Sequence, residues 1–137
     1  MRTELSDRLL QRFPWAKPQN SNSVYSAYGF QIGDGWFGLL ENLFSEIEEL
    51  YKSRDLAIEI ELRQVKEKFG VLTIYLNNAL DEVYELTDKY AEQSKTVCYS
   101  CGRAGSYRRI GGWWITMCDP CTEQRIEDAR KNLERRD

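Results

Sequence analysis

Cys98-Tyr99-Ser100-Cys101 and Cys118-Asp119-Pro120-Cys121 hold every cysteine of the chain, as two Cys-x-x-Cys pairs with sixteen residues between them. A two-residue gap lets both sulfurs of a pair, held by a tight turn, reach the same ion. Four thiolates at about 2.3 Å complete the tetrahedral shell of Zn²⁺, a d¹⁰ ion with no ligand-field preference. Cys98, Cys101, Cys118 and Cys121 are therefore read as the ligands of one structural zinc. Such a shell is closed, so it stabilises a fold and leaves no position for a substrate. Iron in a rubredoxin-like cage of four sulfurs is the chemical alternative. Disulfides need an oxidising compartment, and residues 1–14 are charged and amphipathic rather than signal-like. A thioredoxin-like redox pair would leave the second Cys-x-x-Cys unexplained.

Between the pairs, residues 106–110 and 113–117 flank Gly111-Gly112, a strong hairpin signal. The second pair opens a helix expected over 122–136. Asp119 lies in its first turn, Ile126, Ala129 and Leu133 along it, and Arg135 and Arg136 at its end. Knuckle, hairpin, then a helix whose N-terminus carries the last two ligands is the treble-clef order. It predicts a zinc finger over residues 97–137.

Residues 1–96 read as an α+β body of helix, loop, helix, β-hairpin and helix. A short helix over 3–13 carries Leu5, Leu9 and Leu10 on one stripe and ends at Pro14. Residues 17–29, rich in Ser, Asn and Tyr, read as a loop. Trp36, Leu39, Leu40, Leu43, Ile47, Leu50 and Tyr51 follow the 3–4 spacing of one buried helix face, with Asp34 placed as its N-cap. Strict alternation over 56–63 predicts a strand, 66–70 a turn and 71–76 a returning strand. A last body helix spans 80–95, with Leu80, Val83, Tyr84, Thr87, Tyr90, Ala91 and Ser94 as its stripe. A two-stranded ribbon is marginal alone, so its apolar face must pack on the helices.

Composition narrows the function classes. The 137 residues allow one core plus a small metal-stapled annex. No apolar run approaches a membrane span, and the balance of 30% charged to 42% hydrophobic residues is that of a soluble, cytoplasmic protein. Residues 98–137 hold eight Lys/Arg and six Asp/Glu, net +2, against a whole-chain net of −3. The broad basic footprint of a nucleic-acid binder is thus missing. Histidine is absent, which removes the commonest general base and the Ser/Cys–His nucleophile pairs. A non-enzymatic protein is expected.

Candidate binding residues cluster on the zinc hairpin, where Arg103, Arg108 and Arg109 lie near Tyr107, Trp113 and Trp114. Arginine grips carboxylates and phosphates bidentately, and exposed Trp and Tyr dominate protein hot spots and base-stacking platforms. Strand alternation sends one of Trp113 and Trp114 inward, between the metal and the C-terminal helix, and leaves the other on an exposed patch with Arg108 and Arg109. Lys66, Lys68 and Phe69 could clasp a nucleic-acid backbone and a base, but read better as the wet face of a turn with Phe69 sealing the core edge. Glu41, Glu46, Glu48 and Glu49 read as the solvated side of an amphipathic helix.

Four blocks together resemble a family of small, functionally uncharacterised proteins encoded mainly by tailed phages and prophages. They are Gly33-Asp34-Gly35-Trp36, Val65-Lys66-Glu67-Lys68-Phe69-Gly70, Cys98-x-x-Cys101-Gly102-x-x-Gly105 and Cys118-Asp119-x-Cys121, spanning roughly residues 30–121. The chain departs from the family pattern at Ile32, where a cysteine is expected, and at Val71, where a glycine is. The resemblance implies a phage or prophage accessory protein and no particular activity. Together these readings lead to a protein that binds a macromolecular partner, a host protein in a host-takeover or counter-defence role; the alternative is a zinc-finger regulator on DNA or RNA.

Overall fold

A computed structural model describes residues 1–135, and the expected helix end at Arg136 lies outside them. Helix α1 (Thr3–Arg12) stops where Pro14 begins a single 3₁₀ turn, Pro14–Ala16. Helix α2 (Val24–Tyr28) follows, within the stretch expected to be loop. Ser23 caps it by accepting the Ser26 N–H at 3.0 Å, so five residues suffice for a helical turn that buries Tyr25. Strand β1 (Phe30–Gln31) is too short to show a period in the sequence. It pairs parallel to β2 (Glu61–Lys68), which pairs antiparallel to β3 (Val71–Asn77). The expected ribbon is thus a three-stranded sheet of order β1-β2-β3.

Helix α3 (Phe37–Ser53) carries the core, with Leu39, Leu40, Leu43, Phe44, Ile47 and Tyr51 buried along one face. Helix α4 (Asp81–Ser94) packs on α3 and on β3. Its buried residues are Val83, Tyr90 and Ser94, whereas Tyr84 stands exposed at the margin of the expected stripe. Phe13, Trp15 and Phe44 meet edge to face at centroid distances of 5.1–6.3 Å, and Tyr25 meets Phe30 at 5.5 Å. This aromatic cluster joins α1, α2 and β1 to the face of α3. No described helix is long and apolar enough to cross a membrane.

Three expectations about the body are corrected. The strand expected over 56–63 begins only at Glu61, because Leu56 to Ile60 pairs with no strand, and Leu56 is exposed. Residues 66–68, expected to turn, are instead the end of β2, with Lys66 opposite Thr73 and Lys68 opposite Val71. The turn is Phe69-Gly70 alone, with φ of 52° and 81°. Positive φ at both central residues is the geometry that matches the twist of the flanking strands. Phe69 does not seal the core: 69% of it is exposed. Asp34 is not the N-cap of α3, which is preceded by the 3₁₀ turn Asp34–Trp36 and has no side-chain cap. Its carboxylate reaches across the chain instead, accepting the Arg2 backbone N–H at 2.8 Å and pairing with Arg2 Nε at 2.9 Å. A carboxylate still meets the positive end of a helix, but the helix is α1.

Strand β3 is tied to α4 by one buried hydroxyl. Ser94 Oγ accepts the Leu72 N–H at 3.0 Å and donates to the Ala91 carbonyl at 2.6 Å. Ser94→Ala leaves the Leu72 N–H buried without a partner and is expected to destabilise the protein by about 1–3 kcal/mol, read from the midpoint of a urea melt.

Candidate metal centre and adjoining aromatic groove

The first cysteine pair sits on a knuckle built by backbone hydrogen bonds. The Gly102 N–H donates to the Cys98 carbonyl at 3.0 Å, the Cys98 N–H to the Arg103 carbonyl at 2.7 Å, and the Tyr99 N–H to the Thr116 carbonyl at 2.9 Å. Gly102, with φ of 79°, supplies the left-handed residue that closes the turn. Strands β4 (Ser106–Ile110) and β5 (Trp113–Met117) follow as an antiparallel hairpin, and helix α5 spans Asp119–Glu134. The helix starts three residues before the expected position, because Cys118 itself is the N-cap residue and Pro120 fits the first turn. The second pair therefore lies on the positive end of the α5 dipole, which favours thiolates.

All four sulfurs lie within 4.8 Å of one another. The Cys101 and Cys118 Sγ atoms are 3.7 Å apart. That matches the edge of about 3.8 Å that four sulfurs 2.3 Å from a central ion would form. Cys98 is fully buried and Cys101 is exposed. Burial raises the Cys98 pKa, but backbone N–H groups of Cys101, Cys118 and Ser100 outweigh it and bring the value down to about 6. Cys121 is pushed up to about 12, first by its hydrogen bond with the Cys118 thiol and then by burial and the other sulfurs. Four sulfurs this close cannot all ionise without a cation among them. The donor set, spacing and mutual distances fit a metal ion.

The knuckle is seated on the Gly33–Trp36 segment. The Gly35 N–H donates to the Tyr99 carbonyl at 3.0 Å, and Trp36 Nε1 donates to the Val97 carbonyl at 2.9 Å. The Trp36 and Tyr99 rings meet edge to face at 4.9 Å. A Cβ on Gly35 would fall 2.0 Å from the Cys98 carbonyl oxygen, and one on Gly33 would fall 2.3 Å from that of Tyr99. Both glycines are therefore required by close backbone approach. The Phe69-Gly70 turn docks on the hairpin in the same way. Thr116 Oγ1 donates to the Gly70 carbonyl at 2.8 Å and the Tyr107 hydroxyl to the Phe69 carbonyl at 3.0 Å. Trp36, Glu67, Tyr99 and Arg125 border a cavity of about 140 Å³ at this junction. The Tyr99 hydroxyl is held above its ordinary pKa by burial and then by the Glu67 carboxylate.

The hairpin register sorts the expected binding residues onto two faces. Arg109 opposes Trp114 and Tyr107 opposes Thr116 on one face; Arg108 opposes Ile115 and Ile110 opposes Trp113 on the other. On the first face Trp114 stacks on Tyr107, with centroids 4.7 Å apart and an interplanar angle of 14°. Lys95 Nζ lies 5.3 Å from the Tyr107 ring. Across from this stack stands Phe69, and the space between is a groove of about 650 Å³ bordered also by Glu67, Arg109 and Trp113.

Arg108 does not share that patch. Its guanidinium donates to the Met117 carbonyl at 3.0 Å and to Asp119 Oδ1 at 2.8 Å, tying the hairpin to the start of α5. Arg103 is exposed on the knuckle and does not border the groove. Nor is either tryptophan packed inside: Trp113 is 73% exposed and Trp114 38%. The inner positions belong to Ile115, Met117 and Cys98. Trp113 stands at the hairpin tip, five residues or about 17 Å of strand from Cys118, too far to cover the metal. Phe69 and Glu67 are groove residues that sequence reasoning did not assign there. An aromatic in a two-residue hairpin turn was the available signal for Phe69; Glu67 had none.

No protein-family model matches the chain, and neither do any curated protein or solved structure.

Gly35→Ala is expected to displace the knuckle, since its contacts are backbone atoms that cannot swing aside. A loss of about 3 kcal/mol in a denaturant melt, with a weakened near-ultraviolet circular dichroism signal from Trp36 and Tyr99, is the expected outcome.

Proposed function

We propose that the four cysteines hold one structural zinc ion in a treble-clef arrangement, and that the protein acts without catalysis by capturing a segment of another protein in the aromatic groove. The closed set of four sulfurs supports zinc in a stabilising role, and the absence of histidine supports a non-catalytic role. Elemental analysis is expected to find about one zinc per chain. Iron, or two disulfides in protein kept reduced, overturns that assignment.

The observation that carries the binding role is Phe69. A bulky residue in the left-handed region is strained by about 1–3 kcal/mol. Phe69 also leaves most of its ring in water, facing the Trp114–Tyr107 stack. The turn needs positive φ but not a phenylalanine, and the exposed ring presents an aromatic surface to a partner. Glu67 and Arg109 on one groove, together with a net charge of −3, favour a protein segment over a phosphate backbone. The resemblance to phage-encoded proteins is what supports a host protein as target and a host-takeover or counter-defence role.

Phe69→Asn separates stability from binding. Asparagine tolerates positive φ, so the variant is expected to gain about 1 kcal/mol in stability. Trp114→Ala is expected to keep the fold and weaken capture by about 2 kcal/mol, as loss of an interface anchor does. Proteins retained from host lysate by the wild type provide the binding measurement, with titration of the identified partner. Unchanged binding in both variants overturns the groove as the site. A steep salt dependence of affinity for single-stranded nucleic acid, with no protein retained, overturns the choice of partner.

A further inference from the structure

Helix α5 leaves the metal module with almost nothing packed against it. Of its sixteen residues only Thr122 is buried, and Ile126 and Leu133 are 49% and 64% exposed. Thr122, Ile126, Ala129 and Leu133 are spaced four, three and four residues apart, which is the a/d spacing of a helix that pairs with another helix. Between the base of this stripe and the hairpin lies a largely apolar cavity of about 170 Å³, bordered by Ile110, Trp113, Ile115, Thr122 and Ile126 and by the Arg125 side chain. A cavity of about 150 Å³ accepts a benzene ring, so this one has room for an aliphatic side chain.

We infer that α5 is a self-association surface, on which a second copy of the chain places its own α5 antiparallel about a two-fold axis. Three observations select that occupant. An antiparallel pair puts each a residue beside a d residue of the other helix, so the stripe layers as Thr122 with the second copy's Leu133 and Ile126 with its Ala129. The leucine of each copy then stands over the other's cavity, between Thr122 and the exposed Trp113. An isologous interface of this kind needs a surface that complements itself, and here the protruding leucine and the cavity lie one stripe apart on the same helix.

The flanking charges choose the direction. With Ile126 at a and Ala129 at d, the e positions are Glu123 and Arg130 and the g positions Arg125 and Asn132. Antiparallel pairing sets e against e, so Glu123 of each copy meets Arg130 of the other twice over. Parallel pairing sets g against the following e, which would place Arg125 against Arg130. Arg130 already holds Glu127 at 2.7 Å on its own helix, and its planar fork has donors left for a second carboxylate. The surface meets the Phe69–Trp114 groove only at Trp113, at the hairpin tip, and otherwise lies on the opposite hairpin face. The dimer would carry two such grooves, and its existence does not depend on what they bind.

Sedimentation equilibrium of the metal-loaded full chain tests the inference. The wild type is expected to be a dimer that dissociates on dilution. Leu133→Glu is expected to weaken dimerisation roughly 30-fold or more, as loss of a buried anchor does, with metal content and helicity unchanged. Glu123→Arg is expected to weaken it roughly 10-fold by setting two arginine pairs face to face. Glu123→Arg combined with Arg130→Glu restores opposite charges across the axis and is expected to recover dimerisation. A wild type that stays monomeric at the highest attainable concentration overturns the inference. So does a dimer indifferent to Leu133→Glu, or one that the double charge reversal fails to restore.

Discussion

The close approach of two backbones organises this protein. Gly33 and Gly35 carry no side chain because the carbonyls of Tyr99 and Cys98 occupy the space where a Cβ would stand. One hydrogen bond, from the Gly35 N–H to the Tyr99 carbonyl, crosses that contact, and the Trp36 indole extends it to the Val97 carbonyl. A junction made of main-chain atoms has little freedom to repack, so its geometry is set by whatever shapes each side. On one side that is the start of α3, rooted in the body core. On the other it is the cysteine knuckle, whose turn a bound metal would hold rigid. The cysteine cluster and the hydrophobic core thus constrain each other through a contact too short for any side chain to mediate.

The Phe69-Gly70 turn is where that constraint meets the aromatic groove. Both carbonyls of the turn are taken by hydroxyls of the cysteine module, Tyr107 for Phe69 and Thr116 for Gly70. Gly70 is pressed against the Ile115 backbone, where a Cβ would sit at 3.0 Å. The turn cannot relax by moving away, and Phe69 stays in the left-handed region with its ring in solvent. Strain of this size persists only where the surroundings over-determine the conformation. Here they do so from two directions, the twist of β2 and β3 and the docking on β5. The aromatic groove is therefore preformed, which lowers the ordering cost that its own residues would bear on binding.

Elements with a repeating pattern were legible in the sequence, and those made by tertiary contact were not. The face of α3, the Gly111-Gly112 hairpin and the four cysteines follow from spacing alone. α2 and β1 are too short to show a period; one depends on the Ser23 cap and the other on pairing with β2. Asp34 between two glycines looked like a local cap, because nothing local reveals that Arg2, thirty-two residues earlier, lies beside it. The tryptophans were placed by alternation, which correctly puts Trp113 and Trp114 on opposite faces. Alternation does not say how far a helix extends to cover either face. Ile115 and Met117 fill the space over the cysteines, and Trp113 stands beyond it at the tip.

That division of the hairpin gives each face a different neighbour. The face with Tyr107, Arg109 and Trp114 looks toward the body turn, and its aromatic stack is held from behind by Lys95 and from the side by the Phe69 carbonyl. The face with Ile110, Trp113 and Ile115 looks toward α5, whose apolar stripe continues past it to Leu133, which is exposed among the described residues. Arg108 is the hinge between the two arrangements. It belongs by register to the α5 face, and it spends its guanidinium on Met117 and Asp119 rather than on solvent. A residue that looked in sequence like part of a binding patch instead fixes the angle at which α5 leaves the hairpin. Through Met117 and Asp119, Arg108 ties together the hairpin and the helix between which the cavity beside Thr122 lies.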